Sequence, residues 1–190
     1  MVTFIGVDPG LSGAVAAIDE NGNLISVQDA PTIEVKKGKG KSKRRVYVES
    51  AMAALLEALV RAASPGAKQN VVAIEHVHAM PKNGSIGNFN LGMGFGLWLG
   101  IVAALRVPYE RVEPRTWKGE FGLDADKGKS LVLASRLFPA APLSRQKDEG
   151  RAEALLIAEW LRRKHLGKLQ NVGKLHNSSP KRRNPLPAPR

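Results

Sequence analysis

Hydrophobic and polar positions along the first thirty residues alternate in short runs rather than at helical steps. Thr3 to Asp8 (TFIGVD) is apolar almost to its last position, and Gly13 to Ile18 repeats the pattern. Asn21-Gly22-Asn23 is a turn that folds Leu24 to Gln28 back onto the second run, so three strands are expected, the last two as a hairpin. From Val46 to Ala62 the chain is rich in Ala and Leu at helical spacing and is closed by Ser64-Pro65-Gly66. NVVAIEHV (70–77) predicts a short buried strand, Leu91 to Leu105 a helix crowded with glycine, and Val107 to Val112 a fifth strand. Lys127 to Phe138 and Lys147 to Lys164 predict two more helices. A meander followed by strand and helix units implies an α/β fold, a five-stranded mixed sheet flanked by helices.

The polar residue closing each buried run is informative. Asp8 ends the apolar stretch Val2 to Val7, and Glu75 ends Val71-Val72-Ala73-Ile74 in the same way. A carboxylate is costly there unless it meets a cation or a reacting group. If the two strands are parallel neighbours, both acids emerge at the sheet edge where open α/β sheets bind ligands. On the last predicted helix, RQKDEGRAEALLIAEWLRRK, positions 149, 153, 156, 157 and 160 share a face. Glu149 and Glu153 therefore lie with Leu156, Ile157 and Trp160, whereas Asp148, Arg151, Glu159 and Arg162 are expected to point away. Taken singly, Asp8 or Glu75 is better explained as a helix cap or half of an ion pair. Four carboxylates from three elements instead describe an oxygen-ligand site for Mg²⁺ or Mn²⁺. Two such ions, roughly 3.5–4 Å apart, serve phosphodiester hydrolysis. Asp148 stays open as an alternative helix ligand, although helical phase favours Glu149.

Composition narrows the partners. The 190 residues suit one domain, read as 1–165 with a basic loop at 35–46, followed by a basic tail at 166–190 without regular structure. No run approaches a membrane span and the start lacks a signal-peptide pattern, so a cytoplasmic protein without membrane contact is expected. The absence of Cys excludes disulfides, thiolate nucleophiles and Cys-based zinc sites. The net charge of +12 is concentrated: seven basic residues and no acid lie between Val35 and Val48, and nine and no acid between Arg162 and Arg190. Setting those two segments aside leaves 13 basic residues against 17 acids, so the positive charge rides on two arms suited to a polyanion. Gly92, Gly94, Gly96 and Gly100 weaken helix propensity, which close packing of that helix on the sheet or on a second copy would offset.

In order along the chain, GVDPGLSGAVA, VVAIEHVHAMPKNGSIGNFNLGMGFGLWLGIVAAL, VEPRTWK, DKGKSLVLASRLFP and DEGRAEALLIAEWL resemble the RuvC family of Holliday-junction resolvases, most nearly its phage-encoded and phage-like members. The likeness covers roughly Thr3 to Lys164. It implies an RNase H-like fold, a homodimer, and Mg²⁺-dependent paired nicks in branched DNA that leave 5′-phosphate and 3′-hydroxyl ends, in a bacterial host cell or its phage. It also implies two ions per site held by Asp8, Glu75, Glu149 and Glu153, with Lys118 and either Lys127 or Lys129 near the scissile phosphate. The family commonly carries Asp where this chain has Glu153, and a Phe near the position of His78.

Further DNA contacts are expected from His78, Lys82, Asn83 and Arg115, and from Lys41, Arg44 and Arg45 of the basic arm. Trp117 and Trp160 read as core residues. Two other classes compete. An actin-like phosphotransferase also opens with a strand, an Asp and a Gly-rich hairpin, but needs a second phosphate loop and another domain. A non-catalytic nucleic-acid-binding protein of the same fold would bind DNA without divalent metal and never cut it.

Overall fold

The computed structural model describes residues 2–36, 42–62, 69–124 and 126–176. Three strands, β1 (Val2–Asp8), β2 (Ala14–Asp19) and β3 (Leu24–Asp29), form the expected meander, followed by β4 (Thr32–Lys36), β5 (Lys43–Tyr47) and helix α1 (Glu49–Ala62). Next come β6 (Gln69–Glu75), α2 (Gly84–Ala104), β7 (Tyr109–Val112), α3 (Pro114–Glu120), α4 (Lys127–Leu137) and α5 (Glu149–His176). The main sheet has the order β3-β2-β1-β6-β7. β1 is antiparallel to β2 but parallel to β6, and β6 is parallel to β7, giving the five-stranded mixed sheet.

Strand alternation distributes the core. Ile5, Val7, Val72 and Ile74 face one cluster with Met52, Leu56 and Trp98 of α1 and α2. Phe4 and Ala73 face the other cluster, with Leu155, Leu156 and Ile157 of α5. The same two-residue period turns Asp8 and Glu75 toward the α5 side. α5 is seated directly on the sheet: a Cβ on Gly6 would lie 2.1 Å from the Ala154 carbonyl oxygen and 2.5 Å from the Ala158 nitrogen. Only a glycine in β1 lets the helix backbone come this close.

Several expectations need correction. Where it is described, the basic segment read as a loop belongs to a two-stranded ribbon, β4 with β5, and α1 starts at Glu49 rather than Val46; 37–41 lie outside the described residues. The cause is pairing that composition hides: Glu34 lies opposite Arg45 and bonds Lys43 at 3.0 Å, while Tyr47 is buried. Helix α2 begins at Gly84 rather than at the expected Leu91. With its preceding 3₁₀ turn it spans Pro81–Ala104, long and apolar enough to cross a membrane by length and composition, against the expectation that no run is. α3 was unforeseen. α5 continues past Lys164 to His176, so the expected tail starts inside a helix; 177–190 and Lys41 lie outside the described residues. Glu159, expected to point away from the core, is 4% exposed. Burial pushes its carboxyl up, but hydrogen bonds from Arg162 and Arg163 at 2.7 Å bring it below the usual range.

Candidate active site

Register brings the first two acids together. β1 and β6 pair in parallel up to Val7 opposite Ile74, so the next positions, Asp8 and Glu75, close neighbouring strands at one edge. The chain leaves β1 through a turn folded on the aspartate itself: the Gly10 amide donates to Asp8 Oδ1 at 3.1 Å. A Cβ on Gly13 would stand 2.2 Å from the Asp8 carbonyl oxygen, so only glycine fits there. α5 completes the corner. A Cβ on Gly150 would meet the Ser12 carbonyl oxygen at 2.2 Å, which holds the helix start, and with it Glu149, against this turn. One turn on, Glu153 is buried and accepts a 2.8 Å hydrogen bond from Lys118 Nζ.

The electrostatics follow from this crowding. Glu75 is buried, and burial together with the negative charges of Asp8 and Glu153 pushes its carboxyl up to about 7. Two partners oppose that shift: the Trp117 indole donates to Glu75 Oε1 at 3.0 Å, and the Lys118 ammonium adds positive charge. Lys118 also lies 5.0 Å from the centre of the Trp117 ring. Trp117 is the site residue that the sequence did not disclose. Reading it as core was correct for its ring, but a buried indole needs an acceptor, and the nearby acids were the available signal.

Asp148 and Glu149 are distinguished by their surroundings. The Asp148 carboxylate accepts from the Arg145 amide at 2.9 Å and from the Arg145 guanidinium at 2.7 Å, which holds it below its ordinary pKa. Its oxygens are thus engaged outside the cluster in a 3₁₀ turn, whereas Glu149 opens α5 beside the Asp8 turn.

The residues expected to contact DNA differ in their surroundings. His78, Lys82, Asn83, Arg115 and Arg44 are exposed. Arg45 reaches the turn after Asp8, donating to the Leu11 carbonyl oxygen at 3.3 Å and to Ser12 Oγ at 3.1 Å. Lys129 pairs with Asp124 rather than with a carboxylate of the cluster. The Lys127 side chain lies outside the described residues. Beneath the turn, the Tyr47 hydroxyl donates to the Pro9 carbonyl oxygen at 3.0 Å, and burial beside Asp8 pushes its pKa up.

Mixed-sheet order, an antiparallel meander leading into parallel strands, and an acidic corner under α5 define an RNase H-like fold of the RuvC type. The backbone matches Thermus thermophilus RuvC in complex with Holliday junction substrate with a TM-score of 0.56 and 16% identity, covering 88% of this chain and 97% of that one. A second Thermus thermophilus RuvC structure matches with a TM-score of 0.50 and 17% identity, over 87% of this chain and 96% of the other. In sequence the chain is similar to the chloroplastic Holliday junction resolvase MOC1 of Chlamydomonas reinhardtii, with 36% identity over 126 residues. That match takes in 62% of this chain but spans only 14% of the length of MOC1. No family model matches the chain. The chain is thus RuvC-like in fold and related in sequence to a junction resolvase.

Proposed function

We propose that the protein is a divalent-metal-dependent endonuclease that resolves Holliday junctions and other branched DNA by paired nicks. The observation that carries this reading is the acidic corner, where Glu75 is buried and that burial, together with the charges of Asp8 and Glu153, raises its carboxyl to about 7. Such repulsion is what a divalent cation among the acids would relieve, and the donor set, carboxylate oxygens only, suits Mg²⁺ with Mn²⁺ as substitute. Asp8, Glu75, Glu149 and Glu153 would hold two ions, which when bound supply an activated water and charge at the leaving oxygen. Trp117 fixes the orientation of Glu75 through its N–H. Lys118 balances Glu153 and, at the half-buried rim, offers positive charge to the phosphate. The ribbon β4–β5, tied to the catalytic turn by Arg45, carries basic side chains to the DNA backbone at the same edge.

Paired nicks require two sites, and α2 offers a face for a twin. Ile86 and Phe89 are 71% and 68% exposed, and a Cβ on Gly92, Gly96 or Gly100 would meet nothing within 4 Å. A homodimer about a two-fold axis through this face matches the symmetry of a four-way junction. The cytoplasmic setting is part of the same proposal.

Labelled four-way, three-way and linear duplex DNA, incubated with Mg²⁺ or EDTA, provide the test. Wild-type protein is expected to cut the branched substrates only with metal, and Asp8→Asn to keep junction binding while losing cleavage. Metal-independent cutting, or cutting by Asp8→Asn, defeats the proposal.

A further inference from the structure

A second group of metal-ligating side chains lies just outside the acidic corner. β6 and β7 pair in parallel with Glu75 opposite Val112, so the next residues, His76 and Glu113, leave the sheet side by side. The His76 amide continues the ladder by donating to the Val112 carbonyl oxygen at 2.8 Å. His78, two positions on, brings its ring beside that of His76, with centroids 4.4 Å apart. Both imidazoles address one carboxylate: His76 Nδ1 is 2.6 Å from Glu113 Oε1, and His78 Nε2 is 2.9 Å from Glu113 Oε2. One donor atom from each of the three residues lies within 4.8 Å of the others. Glu113 occupies the N-cap position of α3 without capping it, so both its oxygens serve the histidines.

We propose that His76, His78 and Glu113 form a binding site for a divalent transition-metal ion of the Zn²⁺ type, separate from the carboxylate centre. Imidazole nitrogens select Zn²⁺, whereas Mg²⁺ prefers oxygen, so the two sites differ in ligand chemistry. Ligands at 2.0–2.1 Å in a tetrahedron stand about 3.3 Å apart, so the three donor atoms, now within 4.8 Å of one another, would re-space around the ion. Each neutral imidazole coordinates through the nitrogen now facing Glu113 and carries its single proton on the other. With three protein ligands and a His78 side chain 61% exposed, the fourth position is open to water. The ion would brace the end of β6 against the start of α3. Both flank the acidic corner, because His76 follows Glu75 and α3 carries Trp117 and Lys118. His76 is further set against Phe95 of α2, with ring centroids 5.4 Å apart.

Equilibrium dialysis of the full chain against Zn²⁺ in Mg²⁺-saturated buffer, with Co²⁺ visible absorption as a second readout, tests the site. Wild type and Asp8→Asn are expected to retain one equivalent of Zn²⁺ and to melt at a higher temperature with it. His78→Ala and Glu113→Gln, both exposed and checked for an unchanged metal-free melt, should each lose at least tenfold in affinity. No retained Zn²⁺ in wild type, or undiminished binding by both variants, overturns the proposal. So does loss of the ion in Asp8→Asn, which would put it in the carboxylate centre.

Discussion

Glu75 condenses the physics of the site into one side chain. Its carboxyl, ordinarily near 4.5, is raised to about 7 by burial and by the charges of Asp8 and Glu153. Folding therefore strengthens proton binding at this residue. Stability from the protonated form is fully present below about 4.5 and is lost as pH rises through about 7 in metal-free protein. Urea unfolding in EDTA across that window should show stability falling with pH, Glu75→Gln should flatten the fall, and Mg²⁺ should restore stability above pH 7. Equal slopes for wild type and Glu75→Gln would contradict this account. Much of the site at this scale was legible: an acid at the end of a buried strand shows in sequence, as do acids one helical turn apart. Trp117 and Lys118 were harder to place, because Trp117 reaches Glu75 across 42 residues and Lys118 reaches Glu153 across 35. No local periodicity encodes such a pairing.

Among the elements, α5 matters most. Residues Ala152 to Leu161 are buried throughout, because the sheet covers one side of the helix and α3 and α4 cover another. Helical phase identified the side toward the sheet but took the other for solvent, which is why Glu159 was misplaced. The close seat of α5 on β1 depends on Gly6. Gly6→Ala would drive a methyl into the Ala154 carbonyl and should cost about 1–3 kcal/mol or more in chemical unfolding. Gly119→Ala in α3, whose added methyl meets nothing within 4 Å, should be neutral or stabilising by up to about 1 kcal/mol. A neutral Gly6→Ala would mean the helix is not held where it is seen. The ribbon β4–β5 teaches the converse lesson about charge. The basic segment read as a loop, yet its described residues pair backbone to backbone in β4–β5, with Glu34 bonded to Lys43 and Tyr47 anchored to Pro9.

For the molecule as a whole, the open question is assembly. α2 is apolar enough to span a membrane, but Trp98 and Val102 are buried with the sheet while Ile86, Phe89 and three open glycines lie on the outer side. Covering that stripe with a second copy would pair two acidic corners about one axis. Phe89→Glu should shift sedimentation from dimer to monomer and convert paired cuts into single nicks, with the chain still folded by circular dichroism. A Phe89→Glu protein that still sediments as a dimer would place the interface elsewhere.

Local pattern alone determined the strand meander, the mixed sheet, and the carboxylates at two strand ends and on one helix face, since a two-residue and a 3.6-residue period are written directly in the chain. Tertiary structure decided which partners those acids meet, among them the Trp117 indole for Glu75, the Lys118 ammonium for Glu153 and Arg145 for Asp148, and it set the start of α5 against the Asp8 turn. It also decided that a basic stretch would be a ribbon and that two histidines would share Glu113. Periodicity reports which way a side chain faces. What it faces depends on strand register and on the few ångströms between helix and sheet, and these exist only once distant segments have packed.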